Sequence, residues 1–341
     1  MPNLTDSGTL VRLAHQGLCN LGIDADEVLR RSGLDPAKLY QPNLRTKFSA
    51  QPKFWQAAAD LSGDPCIGLH LGENMPVYKG QILEYLLLSS QTFGDGLKRV
   101  LNYQRLISDA MHGDLSESPE ACLTNHFSDH QYVTPHLAEA MVVSLIRFLQ
   151  SVTDGKFKPS RIIFTHTPNT YIDEYLRVFH CPVEFNAKSF KLFFPSEMLD
   201  CRSLYAEPEL LNMHVQSADQ HLELLQQQDL ISEVRSQIGA LLESGEISLQ
   251  AISMRLDIKP RQLRHQLNLA GTSLQRIINQ YRKSLSVRLL TQTDEAISEI
   301  VYLTGFSEPS TFYRAFKRWK DLTPVEYRKL HRIKTHQTVT V

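Results

Sequence analysis

The chain has 341 residues, of which 42% are hydrophobic and 21% charged, a composition normal for a globular protein long enough for two domains. It contains no apolar run of about eighteen residues and no basic then apolar N-terminus, which argues against a membrane span and a secretory signal. The five cysteines are scattered without a C-x-x-C pair, so they indicate neither a zinc site nor a disulfide scaffold. A reducing cytoplasm fits this pattern best.

Charge is distributed unevenly along the chain. Residues 1–228 carry 19 basic and 26 acidic residues, a net charge of −7, whereas residues 229–341 carry 17 and 11, a net charge of +6; together they give −1. A fluctuation of charge along the chain is one explanation. The other is a polyanionic partner for the C-terminal third alone.

The N-terminal part begins with helical patterns. Apolar residues spaced three and four apart predict helices near 9–21, 50–62 and 80–89. A fourth helix begins at Thr92, whose hydroxyl is suited to cap the N-terminus, with Asp95 three residues further on.

Strand patterns follow. The runs "ACLTNHF", "RIIFTH", "PVEF" and "FKLFF" are short and apolar, which is typical of strands. Between the first two runs, a further helix is entered through Pro135 and ended by Gly155. The mixture predicts an α+β domain over residues 1–207. Apolar stretches such as "ILEYLLL" are more readily core than a hydrophobic-effector pocket.

A different helical pattern occupies residues 208–228. Its apolar residues alternate spacings of four and three on a helix otherwise rich in glutamine, histidine and glutamate. The stripe consists of Leu211, Val215, Ala218, Leu222 and Leu225. It predicts either a dimer contact or a connecting helix that lies on its own domain.

The C-terminal part, residues 229–332, is helical in pattern and contains an internal repeat. Four pairs of apolar positions match at offsets of 48 or 49 residues, with one residue added in the second turn: Ile252 and Ile300, Ile258 and Phe306, Leu263 and Phe312, Leu267 and Phe316. Each copy predicts two helices joined by a short turn, which is a helix-turn-helix. In the second copy Gly305 provides the positive φ that such a turn commonly requires.

A helix of about twenty residues, Ser273 to Gln292, separates the two copies. At 1.5 Å per residue it spans roughly 30 Å, close to one turn of B-DNA, about 34 Å. Two recognition helices held at its ends are therefore predicted to enter successive major grooves.

The C-terminal third resembles the DNA-binding domain of the AraC/XylS family of bacterial transcription regulators. The specific match is "GFSEPSTFYRAFKRWKDLTPVEYR". The N-terminal region more weakly resembles the effector-binding domain of a subgroup that includes ornithine-utilisation and virulence regulators. It lacks the run of short strands that a jelly roll would need.

The resemblance implies which residues meet DNA. In the second copy they are Ser310, Thr311, Tyr313, Arg314 and Lys317, and in the first, on a helix from about Pro260 to Ala270, they are Arg261, Arg264 and His265. Arginine suits guanine, serine and threonine suit base edges or phosphates, and lysine suits phosphate.

Three residues depart from the family pattern. Asp257 and Asp321 stand where the family usually has glycine, and Lys259 replaces a small capping residue. Aspartate adopts a positive φ at some cost, and lysine cannot cap a helix N-terminus. We therefore expect the first motif to be held less rigidly.

The sequence fits an enzyme or an architectural protein less well. No metalloprotease, nucleophile-elbow or P-loop motif is present, and we expect no catalytic residue, metal or cofactor. Some DNA-repair methyltransferases carry an AraC-type domain, but His180 and Cys181 stand in the reverse of their Pro-Cys-His order, so a thiol-based enzyme is only the alternative. A purely architectural DNA binder would not need the acidic N-terminal domain.

The sequence therefore predicts a two-domain, effector-responsive transcription regulator without membrane association, with a tail at 333–341. Family membership implies promoter DNA, RNA polymerase and a small-molecule effector as partners. The effector is unknown; activation is typical of the family, and repression is the alternative.

Overall fold

The computed structural model describes residues 4–168, 171–242 and 247–337, and the chain folds as two units, residues 1–222 and 223–341. In the described ranges, no helix has both the length and the apolarity needed to cross a bilayer. The division predicted above, with a connecting segment at 208–228, stays a prediction.

The N-terminal unit has eight α-helices that lie wholly among its described residues, and the five that were predicted lie close to their expected positions. They are α1 Gly8–Asn20, α2 Ala25–Arg31, α3 Gln51–Ser62, α4 Ile67–Asn74, α5 Ile82–Leu88, α6 Phe93–Asn102, α7 Pro135–Val152 and α8 Ile172–Phe179. Thr92 caps α6 by accepting a hydrogen bond from the Asp95 amide at 3.1 Å, as its sequence context predicts. The helix predicted after Pro135 is also confirmed as α7. Short α2, α4 and α8 were not predicted.

Two sheets accompany these helices. β1 Thr5–Ser7 pairs antiparallel with β2 Arg45–Lys47. The second sheet has the order β3-β4-β7-β5-β6, from β3 Met111–Ser116, β4 Ala121–Phe127, β5 Arg161–Ile163, β6 Val183–Glu184 and β7 Phe190–Phe194. Its pairs are antiparallel except β5 with β6. The four predicted strands are confirmed as β4 to β7, and the N-terminal unit is α+β.

Helix α7 occupies the centre of this unit. Val142 and Leu149 pack into the core of the large sheet, whereas Ala140 belongs to the core formed by the first helices. Helix α4 approaches α7 closely because Gly68 and Gly72 have no side chains: a Cβ on Gly68 would lie 2.6 Å from the Cα of His136.

A buried carboxylate lies on the same helix. Glu139 is 1% exposed, and its oxygens contact Nδ1 of His136 at 3.2 Å, Nε2 of His166 at 3.5 Å and the donating hydroxyl of Tyr175. Burial alone would raise the pKa of Glu139, but these contacts outweigh it and lower the pKa to about 2. The charged form is therefore the stable one in the fold.

Helix α9, Pro208–Leu241, continues past the predicted end at 228. Its first part packs on its own unit: Leu211, Val215 and buried Ala218 contact Leu83 and Leu86 of α5. Tyr103 donates a hydrogen bond to Asp219 at 2.7 Å. The first half of the predicted stripe therefore lies on its own domain, whereas Leu222 and Leu225 are half-buried.

The described residues of the C-terminal unit form helices joined by short turns, without a strand. After α9 come α10 Leu249–Arg255, α11 Pro260–Leu269, α12 Leu274–Gln292, α13 Ile297–Leu303, α14 Pro309–Lys320 and α15 Pro324–Gln337. The last helix extends past 332, the predicted end of the domain. Thr323 and Glu326 exchange hydrogen bonds in a capping box at its start.

Two small cores hold this unit together. The first joins the end of α9, through Val234 and Ile238, to α10 and α11. The second contains the aromatic side chains of the second motif. Helix α12 belongs to both, because Ile277 packs in the first core and Leu290 in the second.

Candidate nucleic-acid interface

Helix α14 has one buried face. Phe312 and Phe316 are 0% exposed and pack with Phe306 and Tyr327. Phe312 and Phe316 are four residues apart on α14, so they form a single stripe that anchors the helix to the second core. The opposite face is left to solvent.

The predicted DNA-contacting residues of α14 lie on or beside that solvent face. Ser310, Thr311, Arg314 and Lys317 are exposed, and Tyr313 is half-buried against the ring of Phe312. Across the described ranges, Arg314 and Lys317 make no ion pair within 4.0 Å. Both cations are therefore available to a polyanion.

The exposed face of α14 carries less positive charge at its N-terminal end than in its middle. Glu308 precedes the helix, and its carboxylate accepts a hydrogen bond from Ser310 at 3.4 Å. Arg314 Nε contacts the Ser310 carbonyl oxygen, also at 3.4 Å. This long contact leaves most of the guanidinium donors free.

The turn before α14 is fixed from α12. Gly305 has a φ of +71°, as predicted, and a Cβ there would lie 3.0 Å from Leu242 and 3.3 Å from Arg282. Arg282 Nη2 donates to the Gly305 carbonyl oxygen at 2.6 Å, and its guanidinium lies 4.7 Å from the centre of the Phe306 ring. Burial lowers the pKa of Arg282.

The first copy has the same construction. In α11, Leu263 and Leu267 are at most 1% exposed, and the predicted contacts Arg261, Arg264 and His265 are all exposed. Two further exposed polar residues of this helix, Gln262 and Asn268, were missed by the sequence analysis. The 49-residue offset was the signal that could have found them, because it places Gln262 on Thr311 and Asn268 on Lys317.

The repeat itself is confirmed. Helices α10 and α13 begin 48 residues apart, and α11 and α14 begin 49 apart. The residues at positive φ also match at 48, since Asp257 has a φ of +53° where the second copy has Gly305. The added residue lies in the second turn.

The departures from the family pattern have the expected geometry. Asp321 ends α14 at a φ of +57°, and its amide donates to the Lys317 carbonyl oxygen at 2.8 Å. Lys259 stands at the start of α11 without a capping side-chain hydrogen bond. Both aspartates therefore occupy conformations that glycine adopts more easily.

Comparison with known proteins agrees with this geometry. Residues 22–203 match the model of the arabinose-binding N-terminal domain of AraC transcription regulators, and residues 252–330 match a helix-turn-helix domain. The chain belongs to the AraC family of transcription regulators. It is thus a DNA-binding transcription regulator with an N-terminal effector-type domain.

Relatives of this AraC-family protein share its length. The ornithine utilization regulator of Pseudomonas aeruginosa is 27% identical over 90% of this chain and 91% of its own. The regulator VirS of Mycobacterium tuberculosis is 24% identical over 90% of this chain and 92% of its own. The crystal structure of the regulator CdpR from Pseudomonas aeruginosa covers 89% of this chain and 96% of its own, with 18% identity and a TM-score of 0.43.

Proposed function

We propose that this protein is an effector-responsive transcription activator that places α11 and α14 in successive major grooves of promoter DNA. The observation that carries the proposal is the pair of exposed polar and basic faces at matching positions of the repeat. Helix α12, with 19 residues, is about 28 Å long, near one turn of B-DNA.

The contacts follow from the chemistry of each face. Arg314 and Arg261 suit guanine edges, whereas Lys317 suits phosphate. We add Gln262 and Asn268 to the predicted contacts, because amide side chains can bond adenine through both its donor and its acceptor. Ser310, Thr311, Tyr313, Arg264 and His265 complete the proposed surface.

The N-terminal domain supplies the response. The matching family model is described as arabinose-binding, and one relative is named for ornithine utilization, so small-molecule sensing is the shared theme. Activation by contact with RNA polymerase in the cytoplasm completes the proposal.

The chemistry of Cys181 favours a regulator over a thiol enzyme. The residue is 7% exposed, and burial raises the pKa of its thiol to about 11. A reactive thiol needs a lowered pKa because the thiolate is the nucleophile. The adjacent His180 ends α8 at a φ of +53°.

Two substitutions in α14 separate base reading from phosphate contact. Arg314→Ala should weaken binding to the selected operator by about 1 to 3 kcal/mol and relax preference at one base position. Lys317→Ala should weaken all sequences alike. Both affinities are measured by fluorescence anisotropy on operator and on random DNA.

Exposed Arg318, which is not among the proposed contacts, provides a matched control as Arg318→Ala. It should change operator affinity least of the three. Equal loss by Arg314→Ala on operator and random DNA would make Arg314 a phosphate contact and contradict its proposed role.

We further propose that the second half of the stripe on α9 mediates dimerisation. Leu222 and Leu225 are half-buried and Leu224 is 52% exposed, so apolar surface is left at this point of the helix. The double change Leu222→Glu and Leu225→Glu places like charges in such a seam, and sedimentation should shift from dimer to monomer. The variant should no longer occupy two neighbouring DNA sites together, but each monomer should still bind a single site.

Gln216→Glu with Gln220→Glu adds the same charge to exposed positions on the other side of the helix. That control should remain dimeric. An unchanged sedimentation coefficient in the folded leucine variant would show that the dimer forms elsewhere or not at all.

A further inference from the structure

An apolar cavity of about 230 Å³ lies within the N-terminal unit. Its walls come from α1, α3, α6, α7 and strand β4. The cavity therefore lies between the first helices of the unit and its large sheet. Aromatic side chains are prominent among them, including Trp55, Phe48 and Phe127, the last two stacked at 6.1 Å. An engineered cavity of about 150 Å³ holds benzene, so this one has room for about nine non-hydrogen atoms.

Several polar groups at one end of the wall already have protein partners. Asp6 accepts hydrogen bonds from Ser108 at 2.6 Å and Gln51 at 2.8 Å, and Trp55 donates to Gln51 at 2.9 Å. Burial raises the pKa of Asp6. This end of the cavity is therefore satisfied without a ligand.

Asn125 is different. Its side-chain oxygen is buried and has no hydrogen-bond partner in the described structure, and its nitrogen meets only the sulfur of Met141, at 3.9 Å. A buried amide whose hydrogen bonds are unmade destabilises the fold, because it has lost its water without gaining a protein partner. The amide lines the cavity, so a molecule held there is the partner it lacks.

We propose that this cavity is the effector site and that it takes a small, uncharged, apolar molecule with one hydroxyl group, which bonds Asn125. This inference rests on the proposed function for its regulatory meaning, because binding alone does not show a response. Leu83, from the stretch "ILEYLLL", lines the cavity, whereas Leu86 and Leu87 are core residues.

The wall does not suit a sugar or an α-amino acid. The several hydroxyls of a pentose would lose water and find few partners among aliphatic and aromatic side chains. An amino acid carries a carboxylate, and Lys47, the one basic side chain among the described residues of the wall, is exposed. The effectors named for the family model and for the ornithine regulator are therefore not expected to bind here.

The test compares two probes of nine non-hydrogen atoms, 4-ethylphenol and propylbenzene, on the full-length protein by calorimetry. We expect both to bind, with 4-ethylphenol about fivefold tighter, the difference that one added hydrogen bond makes. Asn125→Leu should abolish that preference. The neighbouring Thr124→Val, on a residue that does not line the cavity, should keep it.

Ser144→Leu narrows the cavity from α7, so that nine non-hydrogen atoms no longer fit, and should weaken binding of both probes. Binding of L-arabinose or L-ornithine at this site, or of neither probe to the folded protein, would overturn the proposal. So would an unchanged preference in folded Asn125→Leu.

Operator affinity measured with and without 4-ethylphenol tests the response separately. A change in affinity or in transcription supports both proposals. Tight, Asn125-dependent binding with no effect on operator occupancy or transcription would support the cavity site and contradict effector responsiveness through it.

Discussion

Residues 223–341 alone should bind selected DNA, with an affinity that falls about a thousandfold between 50 and 200 mM salt. The expected log-log slope is about −5, because about six phosphates are neutralised and their counterions released. The fragment should fold because the end of α9 supplies Val234, Ile238 and Leu241 to its first core. Mobility shifts and anisotropy over a salt series measure the slope.

Residues 1–222 serve as the control and should bind no DNA at any salt concentration. Circular dichroism establishes that each piece is folded. A helical 223–341 fragment that shifts no selected DNA at low salt, or a slope near zero, would contradict the proposed interface.

Glu139→Leu is expected to lower the free energy of unfolding of the N-terminal unit by about 1 to 3 kcal/mol, since it leaves the buried Tyr175 hydroxyl and two half-buried histidines without their acceptor. His136, His166 and Tyr175 lose a common acceptor. Urea unfolding followed by Trp55 fluorescence measures the change. A Trp319→Phe background removes the second tryptophan of the chain.

The pH dependence follows from the sign of the shift. The pKa of Glu139 falls from 4.5 to about 2 on folding, so its contribution is present above about pH 4.5 and lost as the pH falls toward about 2. Glu139→Leu should therefore flatten the acid limb of the stability curve.

Glu117→Leu is the matched control, because this carboxylate is 51% exposed and pairs with Lys98 at 2.6 Å. An exposed pair contributes little to stability, because solvent screens both charges. Equal destabilisation by the two substitutions would mean that the Glu139 cluster is not specifically stabilising.

Sequence periodicity predicted the repeat well because each copy buries one stripe. Leu263 and Leu267 in α11, and Phe312 and Phe316 in α14, form that stripe, and the opposite face of each helix is mostly polar. The fold class and most helices of the N-terminal unit followed for the same reason. This pattern does not show what the exposed residues bind. DNA was implied by the family resemblance.

The length of α9 escaped prediction for a physical reason. Ala218 and Val234 are both 0% exposed but lie about 160° apart around the helix axis, so no single stripe continues along it. Strand β3, "MHGDLS", was missed because glycine, aspartate and serine are poor strand formers, and it lies at the sheet edge.

The cavity and the Glu139 cluster could not be predicted, since both depend on residues far apart in sequence. Asn125 and Asp6 come to one wall only when the sheet and the first helices pack. A strand pattern predicts that Asn125 is partly buried, but not that its oxygen lacks a partner.

Helix α12 packs in both cores, which separates the spacing of the two motifs from their DNA sequence preference during evolution. Ile277 and Leu290 set the separation of the two motifs from the inside, whereas residues such as Arg261 and Arg314 are exposed and support neither core. If these residues contact bases as proposed, substitutions there alter which bases are preferred at little cost in stability. The distance between the two recognised stretches of DNA would stay the same. Operators would then differ in base sequence but keep the same spacing between the two stretches.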